Sequence, residues 1–220
     1  MGFPFDVHVV GRPSLLVIEN DGENYSTRTI LRKMSAPILT VGYANRSIDE
    51  LIELMKRESV QFLIDVRSTP SSKFKPEFSR ETLDGMLRRA QIRYVFMGDM
   101  LGGRPQDPSC YENGHVIYGI VQQKGFFLNG INRLIDAYTR GFRISLLCSE
   151  TRPEDCHRSK LVGASLAQRG VDVIHLGPDG GYLSQADVIA RLNTAQVQLF
   201  GDALCSRKAY PVMAQRSRRK

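Results

Sequence analysis

Long hydrophobic runs are missing from this sequence. None approaches the roughly 18–20 apolar residues that cross a bilayer, so no membrane partner is expected. No secretory leader is expected, because the start carries no basic segment and Asp6, His8 and Arg12 interrupt its apolar stretches. Asp6, Glu19, Asp21 and Glu23 place acids where an organelle transit peptide avoids them. The expected location is cytoplasmic. Cysteine is scarce: Cys110, Cys148, Cys156 and Cys205 do not make a disulfide framework for a domain of this size. In a reducing compartment such residues serve as small buried hydrophobes, metal ligands or a reactive site. No internal repeat and no low-complexity segment occurs.

What is present fits one α/β domain with extensions. The chain has 220 residues, 42% hydrophobic and 24% charged, enough to bury a core of its own. Its net charge of +7 is unevenly spread. Arg207, Lys208, Arg216, Arg218, Arg219 and Lys220 sit in an acid-free end, and without these six the remainder stands at +1. Residues 201–220 are therefore read as a basic, disordered tail, either solubilising or able to touch nucleic acid and other anions non-specifically.

Five short apolar runs read as strands: Ile38–Tyr43, Gln61–Val66, Ile92–Phe96, Arg143–Cys148 and Val171–Leu176. Helical spacing falls between them. Ser47-Ile-Asp-Glu50 has the form of a capping box ahead of Leu51, Ile52 and Met55. Further helices are expected from Ser79 to Ala90, around Ile117–Gln123, from Phe126 to Tyr138, from His157 to Gln168 and from Ser184 to Leu192. Strands apolar along their length and alternating with helices predict a Rossmann-like, three-layer domain over residues 37–200, with a mostly parallel five-stranded sheet. Residues 1–36 stand apart as a β extension, in which Val7–Val10 and Leu15–Ile18 resemble a hairpin. Met97 to Gly114 reads as a long irregular region, a length usually kept for function or disorder.

Ligands of such folds sit beyond the carboxyl ends of the strands. Gathered there are Gly42-Tyr43-Ala-Asn45-Arg46, Asp65-Val-Arg67, Gly102-Gly103 and the segment from Cys148 to Arg158. Cys148 closes a strand, and Cys156-His157-Arg158 opens the next helix. A helix start binds anions and lowers a nearby thiol's pKa, an effect that Arg152 and Arg158 favour and Glu150 and Glu154 oppose. Cysteine phosphatases and sulfurtransferases present their nucleophile on a similar strand–loop–helix, but with an arginine where this chain has Glu154. Cys148 and Cys156 equally suit plain packing. A metal is not expected, since no CxxC or HxxxH occurs and neighbouring ligands such as Cys156 and His157 are awkward on one tetrahedron. Asp65 has two readings, a buried ion pair or a substrate contact, and Asn45-Arg46 fits either a helix cap or an anion site.

The order Thr40-Val-Gly-Tyr-Ala-Asn-Arg-Ser47, Ile64-Asp-Val-Arg-Ser68, Pro76-Glu-Phe78, Tyr94, Leu101-Gly-Gly-Arg104, Leu147-Cys-Ser-Glu150 and Pro153-x-x-Cys-His-Arg-Ser159 resembles the family catalogued as domain of unknown function 488. The resemblance covers roughly residues 38 to 176, and its Cys-x-Glu with Cys-His-Arg pair is the specific part. Where that family often has tryptophan before Cys-His-Arg, this chain has Asp155. The resemblance implies a Rossmann-like domain with a shared polar pocket and names no cofactor or reaction. The residues themselves suggest a cysteine and acid–base site for an anionic, nucleotide- or nucleobase-type ligand. Cys148, Glu150, Cys156, His157 and Asp65 are the catalytic candidates, with Arg158, Arg67, Asn45, Arg46, Gly42, Tyr43, Gly102 and Gly103 as ligand contacts. The competing expectation is a nucleic-acid-associated or regulatory binding module without catalysis.

Overall fold

The computed structural model describes residues 36–196 and 205–210, with the side chains of 193–196 left aside. The chain divides into two units, Met1–Met34 and Ser35–Lys220. The expected N-terminal hairpin lies outside the described residues, and every described element belongs to the second unit.

The apolar runs become strands of a covered sheet: Ile38–Gly42 and Ile144–Cys148 are buried throughout, whereas Arg93–Phe96, at the edge, is only partly buried. Strands β1 (Ile38–Gly42), β2 (Phe62–Asp65) and β3 (Arg93–Phe96) are linked by helices α1 (Ile48–Arg57) and α2 (Arg80–Arg89). The Ser47 hydroxyl accepts the Glu50 N–H while the Glu50 carboxylate accepts the Ser47 N–H, so α1 begins with the expected capping box. A short α3 (Gly98–Leu101) precedes a hairpin of β4 (Tyr111–Glu112) and β5 (His115–Val116). Helices α4 (Tyr118–Val121) and α5 (Gly125–Thr139) lead to β6 (Ile144–Cys148). A π-helical segment, Arg158–Gly163, then runs into α6 (Ala164–Ala167), followed by β7 (Val173–Leu176), β8 (Tyr182–Ser184) and α7 (Gln185–Gln196).

The sheet order is β3-β2-β6-β1-β7-β8, parallel throughout except for β8, which pairs antiparallel with β7 at the edge. All five expected strands are present and parallel; the sixth is an addition. Alternation along the strands divides the core in two. Ile38, Ile64, Ile144, Leu146 and Cys148 pack with Phe127 and Ile131 of α5 and with Leu161 of the π-helical segment. Leu39, Val41, Leu63 and Leu147 pack with Leu51 and Met55 of α1 and with Leu83 and Leu87 of α2. Helices on both faces make the three layers.

The strand order also fixes where a ligand can enter. From β2 the chain continues outward to β3, whereas from β6 it continues the opposite way, past β1 to β7. Neighbouring strands whose connections diverge leave a crevice at their carboxyl ends. Asp65 is paired with Leu147, and Gly42 with Cys148, so β1, β2 and β6 end at one level around that crevice.

Two details of the middle region were hidden by its composition. Asn113 and Gly114, with φ of 49° and 79°, form the two-residue turn of the β4–β5 hairpin, as an Asn-Gly pair favours. The beginning of the basic end is ordered against that hairpin. Cys205 bridges Ile117, the Ser206 N–H donates to the Val116 carbonyl at 3.0 Å, and the Tyr210 N–H donates to the Gly114 carbonyl at 2.7 Å.

Candidate functional site

A pocket of about 310 Å³ opens at the crevice. Its floor holds Cys148, Ser149, Glu150 and His157. Tyr43, Arg67, Ser68, Thr69, Ser71 and Gly103 line it from the strand ends and loops, and Arg104, Tyr118, Ser206, Arg207, Lys208 and Tyr210 complete the wall. It is a polar pocket, edged by cations.

The floor is built by the segment after β6. Cys148 follows Ile144 and Leu146 onto the α5 face and is 2% exposed; Cys156 is 1% exposed. The Cys148 thiol donates to Glu150 Oε2 at 2.8 Å, and the Cys156 thiol reaches the same oxygen at 3.3 Å. His157 Nδ1 lies 3.7 Å from the Cys148 sulfur and 3.8 Å from that of Cys156. The other ring nitrogen, Nε2, sits 2.9 Å from the Val66 carbonyl. Four side chains that can each offer one ligand atom, Cys148, Glu150, Cys156 and His157, thus place those atoms within 4.8 Å of one another. The expected obstacle of adjacent ligands disappears in the backbone. Cys156 is extended (φ −122°, ψ 142°) and His157 helical (φ −60°, ψ −23°), and the bend between them turns both side chains inward.

Burial drives the electrostatics. Loss of water pushes the Cys148 thiol well above its ordinary value, an effect that nearby His157 opposes. Burial would raise Glu150 as well, but the Cys148 hydrogen bond and the His157 charge outweigh it and hold the carboxyl at about 2. His157 is lowered by burial yet raised overall by Cys148 and Glu150.

The two arginines nearest the chemistry do different work. Arg158 is fully buried and gives its guanidinium to the loop itself, donating to the Glu150 carbonyl and, at 3.0 Å, to the Thr151 carbonyl. These bonds clamp the loop that carries Glu150, while Arg158 Nε is buried with no hydrogen-bond partner among the described residues. Arg67 is held by Asp65 at 2.9 and 2.6 Å and donates to the Phe78 carbonyl at 2.9 Å. Burial alone would lower Arg67, but the paired Asp65 overrides it and the net direction is upward. Arg67 Nη1 is buried with no hydrogen-bond partner among the described residues, although the guanidinium also interacts with the Tyr43 hydroxyl.

The remaining candidates divide by position. Tyr43 reaches the pocket with its ring stacked on Phe78 at 4.2 Å. Gly103 lies against His157, where a Cβ would come 2.8 Å from the ring. Gly42 is at the rim for a backbone reason, since a Cβ there would collide with the Glu150 carbonyl. Gly102 plays the same part against Ser68. Asp65 is fully buried between Arg67 and the Tyr94 hydroxyl, which donates at 2.7 Å, and takes no part in the pocket wall. Arg46 spends its guanidinium on the carbonyls of Gly42 and Gly177, and Asn45 is exposed outside the pocket.

Arg104, Tyr118 and the Ser206–Tyr210 stretch were not among the sequence candidates. Arg104 directly follows Gly102-Gly103 and could have been read with them. The 206–210 stretch has no periodicity to reveal that it folds back.

No curated protein and no solved structure matches the chain. The sequence profile described as Domain of unknown function DUF488 matches residues 47–164, more than half of the chain and the whole span from α1 to the start of α6. That span holds Arg67, Gly103 and all four floor residues, and on this match the chain belongs to the DUF488 family.

Proposed function

We propose that this protein is an enzyme that binds a small anionic ligand of the nucleotide or nucleobase class, with the Cys148, Glu150, Cys156 and His157 cluster doing its chemistry. The observation that carries the reading is Arg67: a buried guanidinium on the pocket wall with one nitrogen unpartnered among the described residues, a group normally satisfied in folded proteins. An anionic oxygen would satisfy it. Arg104, Arg207 and Lys208 add positive charge at the mouth, and a guanidinium suits phosphate or carboxylate geometry. The volume of about 310 Å³ is at the small end for ligand pockets and fits a mononucleotide better than a polymer. Tyr210 brings an aromatic ring to the wall, with the Arg104 guanidinium over it at 4.9 Å.

Thermal unfolding of the full chain against inorganic phosphate, nucleobases and nucleoside monophosphates tests this reading. A phosphate-bearing compound is expected to raise the melting temperature, and Arg104→Ala, at an exposed position, should weaken its binding about tenfold by removing one charge-assisted contact. Absence of stabilisation by every compound, or binding that Arg104→Ala leaves unchanged, would remove the reading.

A further inference from the structure

We propose that Cys148 Sγ, Cys156 Sγ, His157 Nδ1 and one carboxylate oxygen of Glu150 form a four-coordinate site for a zinc-class divalent cation at the pocket floor. The separations support it. Zinc bound at about 2.3 Å to sulfur and about 2.05 Å to nitrogen on a tetrahedron sets those atoms roughly 3.6 Å apart. His157 Nδ1 lies 3.7 and 3.8 Å from the two sulfurs. Both thiols point at the same oxygen, Glu150 Oε2, from 2.8 and 3.3 Å. Those are proton-bridged distances, and the half-buried carboxylate needs to withdraw by only some tenths of an ångström to become a ligand.

The surroundings are those of a ligand set. Nε2 faces the Val66 carbonyl at 2.9 Å, the kind of partner that orients a metal-binding imidazole and turns the other nitrogen to the ion. The Arg158 N–H approaches the Cys156 sulfur at 3.4 Å and so helps to fix its position. Two thiolates with an imidazole select zinc-like ions over magnesium or calcium. On binding, two metal–sulfur bonds replace two S–H bonds and the thiol protons leave to solvent, so no oxidant or reductant is involved. Cys148, Glu150 and His157 all line the pocket, so the ion would sit beneath it with its four positions filled by protein, bracing the floor. The assignment deepens the proposed function of the same pocket without needing an anion at the rim.

Cobalt(II) titration of the metal-stripped full chain tests it. Expected is a tetrahedral ligand-field spectrum with thiolate-to-cobalt charge transfer, saturating at one equivalent and abolished by added zinc. Cys148→Ser and Cys156→Ser should each lose much of the charge-transfer band, and Cys110→Ser and Cys205→Ser should not. His157→Gln keeps both thiolates and should weaken cobalt binding at least about tenfold, which decides the matter if a cysteine variant unfolds. A wild-type chain without a saturable spectrum, or one that Cys148→Ser, Cys156→Ser and His157→Gln all leave intact, overturns the proposal. Because only the metal is titrated, failure here leaves the Arg104 test untouched, and failure there leaves this one.

Discussion

At the scale of single residues, the polar groups under the pocket divide into those that hold it and those that face it. Asp65 shows the distinction. At the end of a strand it reads from sequence as ion pair or substrate contact, and no spacing separates the two. In the fold it is fully buried against Arg67, so Asp65→Asn should leave a buried uncompensated guanidinium and cost about 3–5 kcal/mol, measured by urea unfolding. Tyr94→Phe removes one hydrogen bond to the same carboxylate and should cost about 1 kcal/mol. His175, in β7, is a second buried group with a testable sign. Its Nδ1 lies 2.6 Å from the Thr40 hydroxyl and its Nε2 2.7 Å from Gln185 Oε1, and burial, aided by the Arg158 charge, lowers its pKa from 6.5 to about 4. The unfolded chain therefore binds this proton first. The neutral ring's contribution is whole above pH 6.5 and is lost as pH falls towards 4, an amount of about 3 kcal/mol. His175→Gln should flatten that part of a stability-against-pH profile.

At the scale of elements, sequence alone marked what hydrophobic pattern can mark. Runs such as Leu146-Leu147 and Leu63-Ile64 must be buried on both faces, so the parallel sheet and its helices follow from them. Ser47 and Glu50 fixed the start of α1 because a capping box is a local contact. Ser47→Ala should lower stability by about 1 kcal/mol while leaving ligand response at the pocket unchanged, since the residue lies outside it. Illegible were elements whose reason is tertiary. Strand β8 is a three-residue edge held by β7, and nothing in Tyr182-Leu-Ser184 alternates over enough residues to declare it. The expected α-helix from His157 is a π-helical segment at Arg158–Gly163, a local widening frequent at functional sites. Its signal is not periodicity but the need to turn Cys156, His157 and Arg158 to different partners. The pocket was legible as a rim, because strand ends converge in this topology. The four residues were legible as candidates, grouped with Asp65, but their convergence as a ligand set was not, because the bend between Cys156 and His157 is invisible in residue spacing.

At the scale of the whole molecule, the basic end divides into two stretches. Residues 206–208 and 210 wall the pocket, whereas 211–220 carry Arg216, Arg218, Arg219 and Lys220 without an acid. Truncation after Tyr210 should abolish most salt-sensitive, sequence-indifferent nucleic-acid binding, whose logarithm falls with log salt at a slope of about −3 to −4 for four charges. Truncation before Cys205 should instead impair ligand binding at the pocket. Equal nucleic-acid affinity in full and shortened chains, by filter binding across a salt series, would put the basic surface on the domain. Above all, one pocket is proposed to join a cationic rim to the cluster of Cys148, Glu150, Cys156 and His157 at and beneath its floor. A crystal structure of the full chain grown with zinc and the best-stabilising phosphate compound, with data on both sides of the zinc absorption edge, tests this most directly. Expected is an anomalous peak bonded to both sulfurs and His157 Nδ1, with the phosphate above it on Arg67 and Arg104. A ligand bound elsewhere, together with no peak between the sulfurs and the imidazole, would contradict it.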